Sequence, residues 1–263
     1  MHFFILGLKV LLSPGYRKFI LIPLVANAIL FVVIAVSLFS LLPNSVQWLI
    51  SWIPDWLPFM EFFIYSFASM IFLFVYGMSF SIITNVFAAP FNGFLAEKIQ
   101  REAGLIIPEE SISSVIVRTL GRELKKLMYF IGYGILVAIL LFFLAMIPVV
   151  NLLVPVLAFL WLCWCLAIQY LDYAADNTQQ SFVGLRKQAK KPFISTFGFG
   201  GIVAFLLMVP IVNIFVMPAA VAGGTLMWIK KIHMPNANFN ADDFFDEPVG
   251  GVTYPEIKQK GKV

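Results

Sequence analysis

The sequence predicts an all-α integral membrane protein with two long transmembrane helices, two partly inserted (re-entrant) helical hairpins and amphipathic interfacial helices. Three observations lead there. Hydrophobic residues make up 61% of the 263 residues and charged residues only 12%, half of the ~25% found in an ordinary soluble domain. No period-two alternation of the membrane-barrel type is present, and helices are the other way to satisfy backbone groups in lipid. The positive charges also fall into separate bands: Lys9, Arg17 and Lys18; then Lys98, Arg101, Arg118, Arg122, Lys125 and Lys126; then Arg186, Lys187, Lys190 and Lys191; then Lys230 and Lys231. Lys and Arg are absent from 19–97, 127–185 and 192–229. Basic bands favour the cytoplasmic side. The loop over 43–61 carries Asp55 but no Lys or Arg, so it is expected outside, with the N-terminus and the other loops inside.

Residues 2–12 mix apolar positions with Lys9 and read as a short interfacial helix. Residues 19–42 form the first spanning helix, about 24 residues against the ~20 required. Pro23 and Asn27 interrupt it early, so a kink is expected there. Trp48, Trp52 and Trp56 recur every fourth residue, which suits an aromatic belt at the outer interface. Residues 62–89 form the second spanning helix, with Pro90 and Gly93 marking a turn out of the lipid. Residues 112–126 read as an amphipathic helix on the inner surface. Ile112, Val115, Ile116, Leu120 and Leu124 share one side, and Arg118, Arg122, Lys125 and Lys126 another.

Two later segments repeat a pattern: Met-Ile-Pro-Val-Val-Asn-Leu-Leu-Val-Pro at 146–155 and Met-Val-Pro-Ile-Val-Asn-Ile-Phe-Val-Met-Pro at 208–218. Proline breaks a helix and asparagine can cap the next, so each reads as the tip of a helical hairpin. Residues 197–209 span only ~20 Å at 1.5 Å per residue, short of the ~30 Å hydrocarbon core. The second hairpin is therefore expected to enter and leave on one side; the first has arms long enough to span, and its flanking charges also allow re-entry. Asp172 and Asp176 lie on one helical face and repel unless a cation sits nearby; the basic bands can supply it as a structural salt bridge. Cys163 and Cys165 point in different directions on an apolar helix and are expected to pack. Residues 1–233 form one helical membrane domain, and the polar residues 234–263 are expected to be a disordered cytoplasmic tail.

The stretch Ser13-Pro-Gly-Tyr-Arg-Lys18 is where chemistry concentrates. Serine can serve as N-cap with proline as the first helical residue. The amides of Gly15, Tyr16 and Arg17 would then face an anion at the positive end of the helix dipole, with Arg17 and Lys18 adding charge. The same residues also suit a capped helix whose basic side chains anchor it at lipid headgroups. No nucleotide-binding loop, metal-ligand spacing or nucleophile elbow is present, so no cofactor, no metal and no enzymatic function are expected. Banded charge does not suit nucleic acid, which needs a continuous basic face.

These residues also carry a resemblance. Pro14-Gly-Tyr-Arg-Lys-Phe-Ile-Leu-Ile-Pro23-Leu-Val-Ala-Asn27 resembles the opening of the CysZ family of bacterial inner-membrane sulfate transporters. Similar in the same order are Ala88-Ala-Pro-Phe-Asn-Gly-Phe-Leu-Ala-Glu97, Leu166-Ala-Ile-Gln-Tyr-Leu-Asp-Tyr-Ala-Ala-Asp-Asn177 and Val209-Pro-Ile-Val-Asn-Ile-Phe-Val-Met-Pro218. The resemblance implies sulfate uptake across the inner membrane for cysteine synthesis, two long spanning helices with partly inserted hairpins, and a homo-oligomer. It also places a Gly-x-Arg-Arg sulfate element on Gly15, Tyr16, Arg17 and Lys18. Lysine at the last position keeps the charge but not the planar fork of arginine. Charged residues along a permeation route are implied as well, with Glu97, Arg101, Arg118 and Arg122 the nearest matches. The expected mechanism is a channel-like permease without nucleotide hydrolysis. Two alternatives stay open: a transporter of sulfite, thiosulfate or molybdate, and a non-transporting scaffold that grips anionic membrane lipid.

Overall fold

The computed structural model describes residues 2–52 and 59–235. The expectations for Trp56 and for the tail from residue 236 onward lie outside the described residues. Helices follow in the order α1 (His2–Leu12), α2 (Lys18–Ile50), α3 (Phe59–Glu102), α4 (Ile112–Ala145), a 3-10 turn (Val150–Leu153), α5 (Val154–Asn177), α6 (Phe182–Ala189), α7 (Phe193–Leu207) and α8 (Pro210–Trp228), closed by a π-helical turn at Ile229–His233. Among the described residues there is no strand. Four helical stretches are long and apolar enough to cross a membrane, at Lys18–Trp48, Phe59–Met78, Ile112–Ala145 and Val150–Asn177; a fifth is possible if the bent pair α6–α7 counts as one. The chain divides into two compact units, one of residues up to Ile20 with those from Pro90 onward, the other Leu21–Ala89.

In the Leu21–Ala89 unit the apolar side chains face outward, among them Val36, Phe39, Phe62, Phe67 and Phe74. Such a surface belongs in hydrocarbon rather than water. Phe31 and Tyr76 meet edge to face at 5.4 Å, and an apolar cleft is lined by Leu38, Phe39, Ser69, Phe72, Leu73 and Tyr76. Pro43 does not end α2, which runs on to Ile50. Nearby hydroxyls take up backbone carbonyls, Ser40 donating to Ser37 O and Ser45 to Leu41 O.

In the other unit α1 packs on α8, α5 on α7 and α8, and α4 on α5. Small residues allow this. A Cβ on Gly7 would lie 2.3 Å from Gly223 N, and one on Gly200 only 1.9 Å from Cys163 O, so backbones touch at both crossings. Cys163 is buried in the second of these. Leu6, Val10, Leu11, Ile99, Ile168, Leu171, Leu226 and Trp228 complete the core.

Besides α2, which runs past Pro43, three elements differ from the sequence expectation. Pro90 and Gly93 do not end α3, which continues to Glu102. Its last turns carry Leu95, Ala96, Ile99 and Gln100 into the core, and that burial outweighs the local breaking tendency. Residues 112–126 are not a separate interfacial helix but the first half of the 34-residue α4. Their cations reach carboxylates on α5 instead of headgroups. At the hairpin tips proline opens the next helix, near the start of α5 and at the start of α8. The N-cap positions fall on Leu153 and Val209, not on Asn151 or Asn213. The 15-residue α7 stays short of the ~20 residues needed to span.

Candidate anion site and the ion cluster beneath it

The turn between α1 and α2 does not have the predicted cap. Ser13 closes α1 instead, its hydroxyl donating to Val10 O at 2.6 Å, and α2 begins at Lys18 rather than Pro14. Tyr16 N–H donates back to Ser13 O at 3.3 Å, and Gly15 has φ +89°. Proline second and a positive-φ glycine third are the marks of a type II turn, so turn chemistry wins over helix capping here. The amides of Gly15, Arg17 and Lys18 have no backbone acceptor among the described residues. Gly15, Arg17 and Lys18 are exposed. Arg17 Nε donates to Leu12 O at 3.2 Å, which leaves the outer face of its guanidinium open, and Lys18 Nζ stands 5.4 Å over the Phe19 ring.

Tyr16 alone of the four turns inward. It is buried, and its hydroxyl donates to the Glu102 carboxylate. Burial first, and then that carboxylate, push the phenol pKa upward, so Tyr16 stays a neutral donor. Lys98, one helical turn before Glu102, donates to Gly15 O at 3.0 Å, lies 4.1 Å from the Tyr16 ring centre and pairs with Glu102 at 3.5 Å. The end of α3 therefore staples the turn through Lys98 and Glu102. Glu97 and Arg101 pair with each other at 2.8 Å along α3. Arg101 also reaches Ile107 O at 3.5 Å.

Arg118 and Arg122 belong to a second assembly. Arg122 embraces the Asp172 carboxylate with Nε and Nη2 at 2.6–3.0 Å and donates to Gln180 O at 2.6 Å. Arg118 meets Asp176 Oδ1 and Asp176 O, both at 2.6 Å, and Glu110 at 3.1 Å. Lys126 is 1% exposed yet pairs with Glu123 at 2.6 Å and Asp172 at 3.3 Å, and lies 4.7 Å from the Tyr173 ring centre. A buried charge survives only when it is paired and hydrogen-bonded, and every one of these is. Around the cluster, Asn177 donates to Gly93 O and Gln100 Oε1, and Gln100 donates to Ala174 O. The salt bridge expected of Asp172 and Asp176 is thus present, with α4 supplying the cations.

Lys98, Glu102 and Lys126 went unassigned from sequence. The pairs Glu97–Arg101 and Lys98–Glu102 have the same i,i+4 spacing, so spacing cannot say which one meets the turn. The direction in which Tyr16 points decides it.

These features define an all-α, multi-pass integral membrane protein with an exposed cationic turn and an internally compensated ion cluster. The chain belongs to the family described as Sulfate transporter CysZ/Etoposide-induced protein 2.4, which matches residues 3–218. It is 41% identical over 233 residues to the Sulfate transporter CysZ of Pseudomonas fluorescens (86% of this chain, 90% of the relative). Identity is 37% over 244 residues to that of Vibrio cholerae (89% and 95%), and 34% over 230 residues to that of Pseudomonas aeruginosa (86% and 92%). Family membership and the four apolar helices make it a multi-pass protein of the inner membrane.

Proposed function

We propose that this protein carries sulfate into the bacterial cytoplasm as a passive, channel-like permease, supplying sulfur for cysteine synthesis without nucleotide hydrolysis or any catalytic step. The observation that carries the reading is the match over nine-tenths or more of relatives named as sulfate transporters. The turn at Gly15, Tyr16, Arg17 and Lys18 is the sulfate site in this reading. Its unpartnered amides and the exposed Arg17 and Lys18 offer charge-assisted hydrogen bonds to replace the anion's hydration. Tyr16 and Lys98 act as positioning residues, holding the turn from behind so that its amides face outward.

Beyond the turn, Glu97 and Arg101 line the path as a mutually compensated pair. Arg118, with its side chain 27% exposed, contributes charge at the edge of the ion cluster, and Arg122, locked on Asp172, holds that edge in place. Neutralised in this way, the cluster attracts an anion weakly, which suits passage rather than tight binding. The α7–α8 hairpin is re-entrant, both termini are cytoplasmic, and copies of the chain assemble into an oligomer in the membrane.

Uptake of radiolabelled sulfate into proteoliposomes tests the reading. Sulfate entry is expected down its gradient without ATP and is expected to fall at least tenfold in Arg17→Ala/Lys18→Ala. Uptake indifferent to that double substitution removes the turn from the mechanism. No uptake above empty vesicles removes the permease reading itself.

A further inference from the structure

The α6–α7 elbow carries a charge pattern that the ion cluster does not use. Ser181 caps α6, accepting Gly184 N–H at 3.1 Å, and the helix buries Leu185 and Ala189 completely. It then bends by 105° into α7. Thr196 locks the bend, its hydroxyl donating to Ala189 O at 2.8 Å and its N–H to Pro192 O at 2.9 Å. With α7 entering the bilayer, a bend of this size lays α6 along the membrane surface.

Away from the core, Lys187, Lys190 and Lys191 are exposed, with Arg186 beside them. No Asp or Glu occurs between 177 and 235. None of the four cations makes an ion pair among the described residues. Arg186 and Lys190, and Lys187 and Lys191, stand four apart and repel. The C-terminal dipole of an eight-residue helix offers about half an elementary charge against them. Arg186 is fixed nonetheless, its guanidinium 4.1 Å from the Tyr129 ring centre and 5.1 Å from that of Phe182. Its Nε is buried with no hydrogen-bond partner. A buried orphan donor on a pre-oriented guanidinium points to a missing acceptor.

Immediately after the lysines, Phe193 is 56% exposed and Ile194 87% exposed. A free anion would use the charges and leave these two apolar side chains without a partner. We propose that the elbow docks an anionic phospholipid, its headgroup phosphate held by Arg186, Lys187, Lys190 and Lys191 and its acyl chain lying along Phe193 and Ile194. Cationic side chains bordered by exposed apolar ones are what surface-lying membrane helices use to grip anionic lipid. The bound lipid sets the depth at which α7 enters.

The test is thermal denaturation of the full chain in uncharged detergent, with added phosphatidylglycerol, phosphatidylcholine of the same chains, or inorganic phosphate. Phosphatidylglycerol is expected to raise the midpoint by several degrees more than phosphatidylcholine. Lys187→Gln/Lys190→Gln/Lys191→Gln, all at exposed positions, is expected to lose at least half of that rise while its lipid-free midpoint stays put. Arg186→Gln is expected to lose a comparable share. The proposal is overturned if phosphatidylglycerol gives no extra rise, if the triple variant keeps all of it, or if inorganic phosphate reproduces it. None of these outcomes depends on sulfate transport, which is read separately in vesicles.

Discussion

Gly15 is the residue on which the proposed anion site turns. Its φ of +89° costs a side-chain-bearing residue ~1–2 kcal/mol, and a Cβ there would come 3.2 Å from Lys98 Nζ. Gly15→Ala is expected to lose about that much stability and to weaken the sulfate-dependent rise in melting temperature. Lys98→Met should lower sulfate uptake severalfold, with Lys98→Arg restoring most of it; equal loss in both would show that the cation's tether to Gly15 O does not matter. Asp172→Asn removes the carboxylate that Arg122 grips with two nitrogens and one of the two carboxylates that answer Lys126, leaving Asp176 and Glu123 to hold them. A cost of ~3–5 kcal/mol is expected from breaking a buried pair, readable in chemical denaturation. Glu110 accepts from Gln179 at 2.8 Å and from Arg118, and the Gln179 bond first, with Arg118 helping, holds its carboxyl below its ordinary 4.5. A depressed carboxylate stabilises above its unfolded value and loses that contribution as pH falls through the folded one. Wild-type stability should therefore drop more steeply below pH 4.5 than that of Glu110→Gln.

Among the elements, the helix crossings are set by the absence of side chains. Gly200→Ala would drive a methyl group into the Cys163 carbonyl. Because the clash is with backbone, α5 and α7 must separate, and a loss of at least the ~1–3 kcal/mol typical of overpacking is expected. Gly77→Ala meets nothing within 4 Å and serves as the clash-free control in the same assay, with an expected gain of ~0.5–1 kcal/mol from alanine inside a helix. Element type was readable from the run lengths of apolar residues, and most element ends were not. Pro90 and Gly93 carry strong local stop signals, yet α3 passes through both because Leu95 and Ile99 find buried places beyond them. The cations of α4 were legible only as one face of an amphipathic helix. Periodicity shows that residues share a face but not what that face meets, and Asp172 lies 50 residues further along the chain.

At the scale of the whole molecule, most apolar surface faces outward on α2, the first part of α3 and α4, while nearly all the charge of the described residues is gathered in one unit. Sulfate entering proteoliposomes should do so with saturation but without ATP, and tungstate or thiosulfate should compete in proportion to size and charge match. Undiminished sulfate entry in their presence would show a recognition sharper than amides and ammonium groups provide.

Composition and charge banding were enough by themselves to determine a helical membrane protein, because lipid permits few backbone arrangements and apolar run length reports them directly. The pairing of Asp172 and Asp176 with nearby cations was also legible, because two carboxylates on one face of an apolar helix are untenable alone. Only the tertiary structure decided which cations answer them, that Ser13 closes a helix instead of opening one, and that Lys98 and Glu102 hold the cationic turn. The ion pairs and the staple on the turn join residues far apart in the chain, 50 for Arg122 and Asp172 and 86 for Tyr16 and Glu102, and local spacing carries no information about which distant side chain arrives.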